Sequence, residues 1–206
     1  MVLGVLPQAQ AIFAADSSKA DTGSEAGFVP FFGSIIAQEG EQNGFYRHVL
    51  GKIPSAAPFL TGGSPVFAFT ALQSFVVEGT CDEDIKSIGL PILGKLEVVT
   101  KKIDPKTAEL EFAIPNKEGE NLSESDYAIV YLSGQNLPVT VPISDVKASE
   151  DGHKGETRFK AGFPFETANF AGGLTIAALV KGTGSFENAA AVSEAAVNGP
   201  GLIEVN

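Results

Sequence analysis

Glu39 and Gln42 stand three residues apart in the stretch SIIAQEGEQNGFYRHVLGK (34–52). An acid followed at that interval by a second ligating side chain is how a helix offers two donors to one metal ion. At about 100° per residue, Phe32, Ile35, Tyr46, Val49 and Leu50 form one apolar stripe on such a helix, and Glu39 and Gln42 fall inside it. A carboxylate in an apolar stripe requires a partner, either a metal ion or a neighbour that satisfies a buried acid. Gln is a poor ligand, because its amide oxygen is neutral and does nothing to offset the charge of a cation. Glu39 and Gln42 therefore read as metal ligands, the degenerate relic of such a site, or a buried acid satisfied by its neighbours, and no bound metal or other cofactor is expected. Glu39 is expected to lie inward, largely buried and hydrogen-bonded near Gln42 or Tyr46.

The two histidines do not complete the site. His48 lies about 140° round the helix from Ile35, and His153 sits in a Gly-rich acidic loop. Asp82, Glu83 and Asp84 are consecutive, without the alternate spacing of a calcium loop, and read as a solvated run. Ser and Asp are too scattered to assemble a triad by spacing. Phe159, Phe163, Phe165 and Phe170 cluster, but the chain has no Trp and these rings read as core rather than a sugar-stacking platform. Cys81 is the only cysteine, which excludes an intrachain disulfide and a cysteine zinc site. It reads as a free thiol, with a cross-link between two chains the alternative.

These residues belong to a chain of 206 residues, 44% hydrophobic, with a formal net charge of −11. The charge argues against nucleic acid or an anionic membrane surface as partner, since phosphate binding needs a basic patch. No run of about 18 apolar residues is present, so no membrane span is expected. The apolar start MVLGVLPQAQAIFAA lacks a basic segment and is broken by PQAQ, so it reads as the tail of a helix rather than a signal peptide.

Three regions follow along the chain. Residues 1–80 read as helical, with a polar loop at 15–27, a helix from about Pro30 to Leu50, and a shorter helix in SPVFAFTALQSFVV capped by Ser64 ahead of Pro65. Residues 81–94 read as a linker. From 95 to 206 the runs KLEVVTK, AELEFAI, DYAIVYLSG, LPVTVPI, ETRFKAGF, GLTIAALVK and GLIEV are short and separated by Gly, Pro, Asn or Asp. Seven such runs predict an antiparallel β-sandwich of the immunoglobulin-like kind, in an α+β chain. SFENAAAVSEAAVNGPG reads equally as a short helix or an edge insertion.

The strings FFGSIIAQEGEQNGFYR, GKIPSAAPFLT and FAFTALQSFVV resemble the fungal late sexual development proteins, relatives of stress-response proteins with a ferritin-like domain. The resemblance covers the first 80 residues, and the β-rich remainder resembles that family's C-terminal extension. It implies a partial ferritin-like helical layer, with residues 1–14 in the place of the third bundle helix and 30–50 in the place of the fourth. It also implies a secreted, extracellular or cell-wall location. Helices of another chain, or an upstream segment, are expected to complete the layer, which points to a homo-oligomer through the helical region. In a secreted chain Asn121, in the sequon NLS, is the glycosylation acceptor.

The function expected is a secreted, non-enzymatic structural or interaction protein of fungal development or stress. Its alternatives are a di-metal carboxylate oxidase or iron-binding protein completed by partner helices, and a module that binds cell-wall polysaccharide.

Overall fold

In the computed structural model, residues 6–17, 27–52, 59–77, 79–80, 85–116, 122–148 and 155–205 are described. The fold is mixed α+β, with a strand-rich domain. The turn residues that punctuate the sequence after Lys95 delimit seven strands: β1 (Glu97–Val98), β2 (Ala108–Pro115), β3 (Tyr127–Ser133), β4 (Val139–Ala148), β5 (Glu156–Phe163), β6 (Gly173–Lys181) and β7 (Ala196–Val205). All pairs are antiparallel, in the order β1-β2-β5-β4-β3-β6-β7.

The sheet curls nearly into a barrel. β4 serves both halves: residues 139–142 pair with β3, and the strand continues past Ile143 to pair with β5 across a bulge between Ser144 and Lys147. Asp145 adopts a positive φ of 54° in that bulge, which turns the strand through the corner. The two sheet ends meet at β1 and β7, where Gly94 bridges Asn198 and Asn198 Nδ2 donates to the Lys95 carbonyl over 3.0 Å. Two glycines permit that approach: a Cβ on Gly94 would run into the Asn198 side-chain amide, and one on Gly201 would lie 3.2 Å from Leu96 Cδ2.

Period-two alternation sends Leu110, Phe112, Ile129, Tyr131, Phe159 and Phe163 to the interior, where they form one apolar cluster. Phe170 joins it and Phe165 packs at its margin, so the phenylalanines of RFKAGFPFETANF are core, as their composition predicts. β3 and β6 are buried on both faces, because helices cover their outer side. One is α3 (Pro65–Leu72), which begins as the sequence requires: Ser64 Oγ accepts from the Phe67 amide over 3.2 Å and Pro65 occupies the first turn. α3 plants Phe67 in a second cluster with Ala128, Val130, Ala178 and Val180. The other is α4 (Ala189–Ala195), capped by Asn188, which contributes Val192 to the same cluster. The Ala-rich segment is thus a helix leading directly into β7, which starts five residues earlier than GLIEV alone indicates.

Candidate functional site

The remaining two helices, α1 (Leu6–Ser17) and α2 (Phe28–Val49), pack on each other through aromatic contacts near the start of α2. Phe13 lies 5.2 Å from both Phe28 and Phe32, centroid to centroid. Gln10 Nε2 donates to the Val29 carbonyl over 2.9 Å and meets the backbone of Gly33, where a Cβ would come within 3.2 Å of it.

Among the described residues, the pair is tied to the strand-rich domain near both Gly63 and Glu204. Gln8 Nε2 donates to the Gly63 carbonyl just ahead of α3. Past Tyr46, Arg47 Nη1 donates to Glu204 Oε1 over 2.9 Å, and Lys52 Nζ engages the other oxygen of the same β7 carboxylate.

The hairpin covers only part of α2. None of the 22 residues of that helix is fully buried. Phe31 is 55% exposed, Phe45 62% and Val49 64%, with Phe28, Tyr46 and Leu50 also exposed. Aromatic and branched apolar side chains in such a row on one helix are an interaction surface by their composition.

Glu39 is partly buried on α2 and its backbone carbonyl accepts from Asn43 Nδ2 over 2.9 Å, while among the described residues its carboxylate makes no hydrogen bond to Gln42 or Tyr46. Gln42 and Tyr46 are exposed. His48 is exposed on the same helix. Among the described residues no three His, Cys, Asp or Glu side chains converge in a group fit to hold a metal ion. One half-buried carboxylate beside an exposed amide does not fit the di-metal centre of a ferritin-like bundle. Cys81, Asp82, Glu83, Asp84, Asn121 and His153 lie outside the described residues.

A second candidate lies on the outer face at the β4 corner. Glu111, Asp145, Lys147, Arg158, Phe159 and Lys160 line a cavity of about 110 Å³. Lys160 sits 3.0 Å from both Glu109 and Asp145, and hydrogen bonds to these two acids push its pKa up to about 12. The hydrogen bond from Lys160, aided by the charge of Lys147, holds the Asp145 carboxyl below its usual range. Three acids and three bases balance here, so the cluster offers a ligand no net charge and reads as the ion-pair cover of a sheet corner.

The residues that spacing singled out, Glu39 and Gln42, are therefore less telling than their apolar neighbours. Phe31 and Phe45 were not singled out at all, although their place in the same row was readable from spacing.

The structure defines an α+β protein in which a nearly closed antiparallel sheet carries a partly uncovered helical hairpin. No family model matches the chain, and neither does any curated protein sequence. Among the described residues no helix is long and apolar enough to cross a membrane.

Proposed function

We propose that this chain is a non-enzymatic structural or interaction protein, whose strand-rich domain holds out the α1–α2 hairpin as its contact surface. The observation that carries the reading is the exposed row on α2, anchored to β7 through Arg47, Lys52 and Glu204. A helix that only covered a core would turn such residues inward. The resemblance of residues 31–77 to the fungal late sexual development proteins extends the proposal: a secreted protein of fungal development or stress, built from a remnant ferritin-like layer and an immunoglobulin-like sandwich. The two halves of the sheet wrapped round one apolar interior support the sandwich description.

The rival di-metal oxidase is tested at Glu39. Purified protein incubated with iron(II) in air should retain no stoichiometric iron, and the Glu39→Gln variant should oxidise iron at the same rate as the parent. Saturable, oxygen-consuming oxidation that disappears in Glu39→Gln would overturn the proposal.

A further inference from the structure

The outward row on α2 has a regular spacing. Phe31, Ile35, Gln38, Gln42, Phe45 and Val49 follow one another at intervals of four, three, four, three and four, the alternation of a and d positions in a coiled-coil seam. On a straight helix they fall within about 40° of one line. Five of the six are exposed and Ile35 is half-buried. The line is separate from the contact with α1, which uses Phe28, Val29, Phe32 and Gly33.

The seam is also symmetric in chemistry about Gly40. Phe31 and Val49, Ile35 and Phe45, and Gln38 and Gln42 are each equidistant from it. A surface with that property is complementary to itself under a two-fold axis.

We infer that the occupant of this surface is a second copy of the same chain, paired antiparallel along α2. In that pairing Phe31 of one copy packs on Val49 of the other, Ile35 on Phe45, and Gln38 meets Gln42. Each amide has a donor and an acceptor to exchange with its mate, and a polar layer in an apolar seam fixes register.

The orientation follows from the attachment of the strand-rich domain at the end of α2 that carries Arg47 and Lys52. Antiparallel helices send the two domains to opposite ends of the pair.

One feature opposes the pairing and sharpens its test. Glu39 lies beside the seam and meets its own mate across the axis, as does Glu41, so each makes a like-charge pair. Glu39→Gln and Glu41→Gln together should therefore lower the dissociation constant.

This inference deepens the proposed function and rests on it. The test is light scattering of the full chain at micromolar concentration, with anilinonaphthalenesulfonate fluorescence on the same samples. The chain should run at twice its 21.4 kDa mass, and Phe45→Glu should run at the single mass with unchanged circular dichroism. If Phe45→Glu fails to fold, the exposed pair Gln38→Lys and Gln42→Lys serves instead and should give the same single mass. A dimer indifferent to these substitutions would overturn the seam. A monomer that binds the dye, and loses it in Phe45→Glu, would overturn self-pairing while leaving α2 as a surface for a different partner. A monomer that binds no dye would overturn both readings.

Discussion

Arg47 on α2 donates to Glu204 on β7 over 2.9 Å, joining residues 157 positions apart in the chain. Lys52 engages the same carboxylate, so one acid near the end of the last strand receives two cations from the end of the helix. Glu204 is partly exposed, so the contribution is modest, about 0.5–1 kcal/mol for such a pair, and salt should weaken it. Glu204→Ala should barely shift the global unfolding midpoint but speed amide exchange in the last turns of α2. Unchanged exchange there would mean that the hairpin is held elsewhere.

Phe67 ties α3 to the sheet much more strongly. It is fully buried against Ala128, Val130, Ala178 and Val180, whose small size on the outer face makes room for the ring. Phe67→Ala should lower stability by about 3–5 kcal/mol, and Ser64→Ala by about 1 kcal/mol through loss of the cap. Denaturant unfolding measures both. A Phe67→Ala loss no larger than that of Ser64→Ala would show that α3 does not belong to the core of the strand-rich domain.

Tyr131 sits in the barrel interior with its ring 5.5 Å from that of Phe163 and its hydroxyl without a hydrogen-bond partner among the described residues. An unpartnered buried hydroxyl costs about 1–3 kcal/mol, so Tyr131→Phe should be at least as stable as the parent at neutral pH. Burial pushes the phenol pKa well above its usual value. The unfolded chain therefore releases the proton at about pH 10 while the folded chain keeps it, and stability falls as pH rises above that point. Tyr131→Phe should lose stability less steeply above pH 10 than the parent. Identical alkaline slopes would show that the hydroxyl is solvated.

How far the sequence reveals this molecule varies by element. The seven strands were legible because Gly, Pro, Asn and Asp punctuate each apolar run, and α3 because Ser64 and Pro65 announce it. The closure at Gly94 and Asn198 was not legible, since it depends on a contact between residues 104 positions apart. Nor was the place of Phe67, because an apolar helix shows its periodicity and not the surface it covers. For Glu39 the helix was legible, and the contacts of its carboxylate were not. Helical periodicity locates a face, but only the packing of neighbouring elements decides whether that face is inside, and here the row from Phe31 to Val49 is outside.

Cross-linking tests the antiparallel pairing of α2 most directly. In a Cys81→Ser background, Ser34→Cys and His48→Cys place thiols on one flank of the seam. With 1.5 Å of rise per residue and the axis at Gly40, Ser34 of one copy lies only about 3 Å along the helix from the level of His48 of the other, whereas two Ser34 positions lie about 18 Å apart and two His48 positions about 24 Å apart. A mixture of the two variants should be joined by a short bis-maleimide into a covalent dimer carrying one of each chain, and each variant alone should stay uncoupled. Cross-linking of each variant with itself as readily as in the mixture, or none in any sample, would contradict the pairing.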